Sequence, residues 1–221
     1  MTQTVNEATT LSPPPQRRVL QMWRTPIYQA DCPGADEHLP LLRELILEAE
    51  KTDTQAANFG GIDAIKSSQT MLTWDHPSIG WLKTQIMAAA TALTNDTLGE
   101  AAAEINSHGV KAEAWAVVYR SGGSLRPHTH HDSVWSGVLY VAADTGDDAD
   151  EAGYLQMLDP RPAAVGRQAS PGVERFKPVP GRMIAFPGWQ PHSVRATASD
   201  SNLRIAIAWN VAYHEIWTGM S

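Results

Sequence analysis

Hydrophobic and polar positions divide this chain into two textures. Between residues 39 and 49 apolar side chains recur at three-and-four spacing (Leu39, Leu41, Leu42, Leu45, Ile46, Ala49), which predicts a helix with one apolar stripe. Gly60-Gly61 interrupts that texture. A second helical stripe runs through Trp81, Leu82, Ile86, Ala89 and Leu93, with Pro77 near its start and Asp75 or His76 ahead of it as cap. Residues 98–103 extend or follow that helix. Ahead of both, Trp23-Arg24-Thr25-Pro26-Ile27-Tyr28 reads as a short edge strand, where proline is tolerated. Past Gly109 short runs rich in Val, Ile, Trp and Tyr alternate with Gly, Pro and Asp: 113–120, 134–142, 153–158, 182–187, 192–197 and 203–213. Short strands at this spacing predict an antiparallel sandwich or jelly roll. Helices first and strands after make the fold class α+β, with N-terminal helices packed on one sheet face.

Composition adjusts this picture at its margins. Residues 1–18 are polar, end in Pro13-Pro14-Pro15 and offer little apolar surface against ordering entropy, so they read as a disordered tail before a single domain at 19–221. With 17 Lys+Arg against 24 Asp+Glu the net charge is −7, which argues against binding nucleic-acid backbones. Cys32 is the only cysteine, so neither an intrachain disulfide framework nor a cysteine-built zinc site can form. That usage fits a reducing compartment and a cytoplasmic location. No apolar run is long enough to span a membrane, and the first residues lack the pattern of a secretory signal. The acidic run Asp144, Asp147, Asp148, Asp150 and Glu151 reads as a solvated loop between strands. Oligomeric state stays open, a homodimer included.

Candidate chemistry concentrates in Pro127-His128-Thr129-His130-His131-Asp132. In an extended segment His128, His130 and Asp132 share one face and His131 takes the other. Imidazole and carboxylate suit iron, zinc, copper or nickel. The best distal donor is His192, which opens a strand after the Pro/Gly-rich turn Phe186-Pro187-Gly188-Trp189-Gln190-Pro191. Two donors from one strand end and one from a distant strand make a facial triad with open positions. Further on, Leu203, Ile205, Ile207 and Trp209 form a bulky face, whereas Arg204, Ala206, Ala208 and Asn210 form the opposite one. An arginine aimed into a sandwich needs an anion, and its fork fits a carboxylate, so a dicarboxylic cosubstrate is the natural guest.

Together HTHHDSVWSGVLYV (128–141), DPRP (159–162), FPGWQPHSV (186–194) and RIAIAWN (204–210) resemble the iron(II)/2-oxoglutarate-dependent oxygenases. The resemblance is to their prolyl-hydroxylase-like branch and to a bacterial and phage family of such oxygenases, and it covers roughly residues 20–213. It implies a double-stranded β-helix (jelly-roll, cupin-like) core that binds Fe(II) and 2-oxoglutarate, converts 2-oxoglutarate to succinate and hydroxylates a small molecule or a peptide side chain. Arg204 would hold the far carboxylate, with Tyr119 and Tyr140 on flanking strands as hydroxyl donors. The metal ligands would be His192 and His130 with either His128 or Asp132: the superfamily's His-x-Asp returns as His130-His131-Asp132, while the nearer family favours the His-x-His pair His128 and His130. Ala206 departs from the pattern, since many relatives carry serine there.

Other readings stand beside this one. A cupin-like metalloenzyme could use His128, His130 and His192 without an oxo-acid, as a cosubstrate-free dioxygenase or an isomerase. A non-enzymatic binding module would carry the histidines as surface residues. Arg204 could pair internally with Asp159, although Asp159-Pro160-Arg161-Pro162 reads first as a structural turn. Trp135 and Trp189, next to presumed ligands, are candidates to line a substrate pocket.

Overall fold

The computed structural model describes residues 24–54, 56, 61–107, 109–143, 151–161, 172–198 and 203–213. Its helices, α1 (Ala35–Thr52), α2 (Pro77–Leu98) and α3 (Ala102–Ser107), all precede the long strand β3 (Val110–His128). Strands β1 (Tyr28–Asp31) and β2 (Gly61–Lys66) lie among them in sequence. After β3 come β4 (Trp135–Ala142), β5 (Leu155–Leu158), β6 (Val173–Phe176), β7 (Arg182–Pro187), β8 (His192–Val194) and β9 (Arg204–Tyr213). No described helix is long and apolar enough to cross a membrane.

The strand order is β1-β7-β4-β9-β3-β8-β5-β6, with β2 alongside β3, and the named pairs are antiparallel. β3 turns this sheet into a double-stranded β-helix. Its first half, Val110 to Tyr119, pairs with β9, whereas Leu125 and His128 pair with β8. One strand of 19 residues, far above the usual five or six, therefore passes from one layer into the other.

Alternation then sorts side chains into two cores. Ile205, Ile207, Trp209 and Val211 of β9 pack with Ala114, Ala116 and Val118 of β3 against helices α1 and α2. Leu42 and Ile46 of α1 are buried there, as are Ile79, Leu82, Ile86, Ala89, Ala90 and Leu93 of α2, each large aliphatic stabilising by about 1.5–3 kcal/mol. The opposite faces of β3 and β9 give Trp115, Val117, Tyr119 and Ala206 to the interior between the layers, with Tyr140, Met157, Phe186 and Val194. Gly137 on β4 lies flat under Trp209, where any Cβ would overlap the indole and the Ile184 carbonyl.

Most predicted elements appear, with shifted ends. Helix α2 starts as its sequence indicates: Pro77 opens it, and the His76 ring accepts the Ser78 N–H at 3.1 Å. The first strand occupies Tyr28–Asp31 instead of residues 23–28, so that its ladder with β7 begins beyond Pro26, which has no N–H to give. The stretch after α2 becomes a 3₁₀ turn (Gly99–Ala101) and α3. Strands β2 and β6 escape the sequence reading, since β2 follows the Gly-Gly break and Val-Glu-Arg-Phe shows no alternation. The 192–197 run is strand only to Val194; Thr197 instead ties to β3, donating to the Arg120 carbonyl at 2.6 Å and accepting from the Gly123 N–H at 3.0 Å. The proposed tail 1–18 and Asp144–Asp150 lie outside the described residues. Glu151, assigned to the same solvated run, is instead paired with Arg175 at 2.9 Å and Arg195 at 2.8 Å.

Candidate metal centre

Strand register brings the first two histidines together. His128 at the end of β3 is the cross-strand partner of His192 at the start of β8, and such partners carry neighbouring side chains. His130 lies two residues on, beyond the strand, where its N–H bonds the Gly188 carbonyl at 2.8 Å. Potential donor atoms of His128, His130 and His192 all fall within 4.8 Å of one another. The His130 and His192 rings stack with centroids 5.2 Å apart, and the His128 and His192 centroids are 4.3 Å apart.

Gly188 makes this approach possible. A Cβ there would collide with the carbonyls of His130 and Ser133, so only glycine lets the 130–133 turn pack onto the end of β7. The extended geometry expected through residue 132 stops at His130, because residues 131 and 132 form a turn closed by the Ser133 N–H on the His130 carbonyl at 3.1 Å. The turn swings Asp132 to an exposed position outside the group of three donors. His131 bonds Thr129 Oγ1 at 2.7 Å and is likewise outside it.

Backbone partners select the tautomers. His192 Nδ1 lies 2.9 Å from the Gln190 carbonyl, and His128 Nδ1 lies 2.8 Å from the Arg126 carbonyl. A carbonyl only accepts, so each Nδ1 carries a proton and Nε2 is the nitrogen left to face a metal. Burial, then the neighbouring His128, pushes the His192 pKa down to about 3, although the Gln190 carbonyl works against that shift. Burial, then His128, Lys66 and His131, pushes His130 down to about 4. Both imidazoles are therefore neutral near pH 7, the ligating state.

Arg204 lies in the same interior, on the inward face of β9. It is 2% exposed, and its Nε and Nη1 have no hydrogen-bond partner. Its guanidinium lies 4.3 Å from the Tyr119 ring centroid and 5.3 Å from that of Tyr140. The Tyr140 hydroxyl is also buried without a partner, and burial pushes its pKa up to about 12 against the pull of Arg204. Burial raises Tyr119 as well. Asp159 does not neutralise Arg204, because it bonds Arg161 through both oxygens at 2.8 Å. A buried cation and a phenol with open valences form a socket for an anion with several acceptor oxygens. Ala206 withholds the hydroxyl a serine would add there, and Gly153 approaches the Arg204 side chain so closely that a Cβ would stand 3.2 Å from Cδ.

Two residues at this centre escaped the sequence reading. Trp115 contacts His130 with ring centroids 5.8 Å apart, and Lys66 places Nζ 4.0 Å above the Trp115 ring. Alternation back from Tyr119 would have put Trp115 on the inward face, but Lys66 sits on a strand that the pattern does not announce. Trp135, expected near the pocket, is instead buried on the helix side, where its Nε1–H donates to Thr94 Oγ1 at 2.8 Å. Trp189 is 47% exposed and lines an outer hollow with Trp135, away from the histidines.

Comparison with known proteins agrees with this geometry. Residues 113–210 match a family model described as "Putative 2OG-Fe(II) oxygenase". No curated protein matches the chain. Among solved structures, a Pseudomonas putida prolyl-4-hydroxylase superimposes with a TM-score of 0.56 at 18% identity, covering 85% of this chain and 92% of that one. HygX from Streptomyces hygroscopicus, crystallised with nickel and 2-oxoglutarate, gives 0.56 at 11% identity, covering 86% and 84%. A Trichoplax adhaerens prolyl hydroxylase, in complex with a hypoxia inducible factor oxygen degradation domain peptide fragment, gives 0.55 at 13%, covering 84% and 82%. At these identities the likeness is one of fold.

Proposed function

We infer, from the premise that the strand core of this chain (residues 113–210) belongs to the 2OG-Fe(II) oxygenases, that His128, His130 and His192 hold iron(II) and Arg204 anchors 2-oxoglutarate. The observation that carries this reading is the pairing, along the same strands, of three imidazole donors with a buried guanidinium whose Nε and Nη1 are open. The donor set suits iron(II), and the Arg204–Tyr140 socket suits the distal carboxylate of a dicarboxylic acid. Bound iron(II) supplies oxygen activation coupled to conversion of 2-oxoglutarate to succinate and carbon dioxide, with hydroxylation of a small molecule or a peptide side chain.

Each side chain has a task in this scheme. The Nε2 atoms of His128 and His192 are aimed by their backbone-bonded Nδ1–H groups, which fixes ring orientation before metal arrives. Arg204 orients the cosubstrate, Tyr140 donates its hydroxyl to the same carboxylate, and the Tyr119 ring walls the guanidinium away from water. The position of Asp132 in the turn supports the His128–His130 pair over His130 with Asp132. Helices and strands share continuous packing, which supports residues 19–221 as one catalytic domain. The single, reduced Cys32 supports a cytoplasmic location.

The test measures succinate formed from 2-oxoglutarate with iron(II) and oxygen, alongside anaerobic 2-oxoglutarate binding. Wild type binds and turns over; His192→Ala loses metal, and Arg204→Ala keeps metal but loses 2-oxoglutarate. In parallel, His128→Ala abolishes iron binding and Asp132→Ala does not. Metal-loaded wild type that fails to bind 2-oxoglutarate sinks the reading in favour of a cosubstrate-free cupin-like enzyme.

A further inference from the structure

We propose that the compound oxidised carries an anionic headgroup, a carboxylate or a phosphate ester, held by Lys66 and Arg126 at the mouth of the metal centre. This rests on the oxygenase reading above and extends it to substrate class. A cavity of about 290 Å³ opens beside His128 and His130, and both Lys66 and Arg126 line it. That size is at the low end for a small-molecule site. Register fixes the direction of Lys66: it pairs with Val117 while Ala64 pairs with Tyr119, so Lys66 shares the inward face of β3. Its ammonium sits 4.0 Å over the Trp115 ring, and that ring contacts His130.

Charge around the cavity runs against that of the chain. The whole sequence carries −7, yet among the described residues lining this cavity there is no carboxylate. Three imidazole ligands add no negative charge where a carboxylate ligand would. Arg204, Tyr119 and Tyr140 do not line the cavity, so the cosubstrate's anchor and the headgroup's anchor are separate cations. Trp115 and Val117 offer the apolar wall along which the rest of such a molecule would lie.

The experiment uses full-length protein loaded with nickel(II) and titrated calorimetrically with 3-phenylpropionate, phenethyl phosphate and the neutral 3-phenylpropionamide, with and without saturating 2-oxoglutarate. At least one anion should bind tenfold or more tightly than the amide, and which one identifies the headgroup. Lys66→Gln should bring that ratio close to one, Lys66→Arg should restore it, and Arg126→Gln should reduce it independently should the Lys66 variants fold poorly. Equal binding of amide and anions, or a preference that survives both Lys66→Gln and Arg126→Gln, overturns the proposal. So does a parallel fall in 2-oxoglutarate affinity in Lys66→Gln, since Lys66 would then serve the cosubstrate. Failure of wild type to bind 2-oxoglutarate counts against the oxygenase reading alone, because the anion-to-amide ratio measured without it still judges the headgroup.

Discussion

Burial of Arg204 with Nε and Nη1 unpaired imposes a cost on the fold. Its guanidinium is buried with two nitrogens unpaired, and the aromatic faces of Tyr119 and Tyr140 replace little of the lost hydration. Arg204→Leu should therefore raise the stability of the ligand-free protein, by about 1–3 kcal/mol on the usual scale for such replacements, while removing 2-oxoglutarate binding. Urea unfolding of the two ligand-free proteins checks this. A variant less stable than wild type would mean that the socket is satisfied within the chain. The histidines differ in kind: His128 and His192 are each held by a single backbone carbonyl, at 2.8 and 2.9 Å, so their polar atoms are not stranded without a ligand.

At the level of elements, one turn controls whether the three histidines meet. Strands β3 and β8 deliver His128 and His192 as a register pair, but His130 reaches them only because the 130–133 turn lies against Gly188. Gly188→Ala should push that turn outward, weakening metal affinity at least tenfold with little change in secondary structure. Metal titration against far-ultraviolet circular dichroism separates the two effects, and unchanged affinity would show that the turn is not what places His130. The polar shelf behind the turn acts on the same element. Ser133 Oγ donates to the His130 carbonyl at 2.8 Å and lies 3.0 Å from Ser136 Oγ on β4, which donates to Asn210 Oδ1 of β9 at 2.8 Å.

Taken as a whole, the molecule packs helices on one side of its main layer and keeps the other side for chemistry. The two cores back onto the same strands, so alternating residues of β3 and β9 serve stability and the site in turn. Three donors from segments more than 60 residues apart are together only in the folded state, so metal should act as a folding ligand. Nickel(II) at 100 times its dissociation constant should stabilise by about 2.7 kcal/mol, raising Tm by roughly 5–10 °C for a chain of this size. A chelator should reverse the shift and His192→Ala should abolish it. A thermal scan indifferent to metal would count against the three-histidine centre.

Local pattern determined much of this protein in advance. Helical and strand periodicities, the His-x-His spacing and the arginine on a small-residue face are all properties of neighbouring residues, and α1, α2, β7 and β9 formed close to where they pointed. Whether His128 or Asp132 lies beside His130 and His192 was beyond such a pattern, because it depends on where extension gives way to a turn. The Gly188 carbonyl, just past the end of β7, accepts the His130 N–H at that point. Lys66 and Trp115 were invisible as a pair for the same reason: their contact exists only through the lateral register of β2 on β3, which hydrogen bonding and packing between distant segments decide.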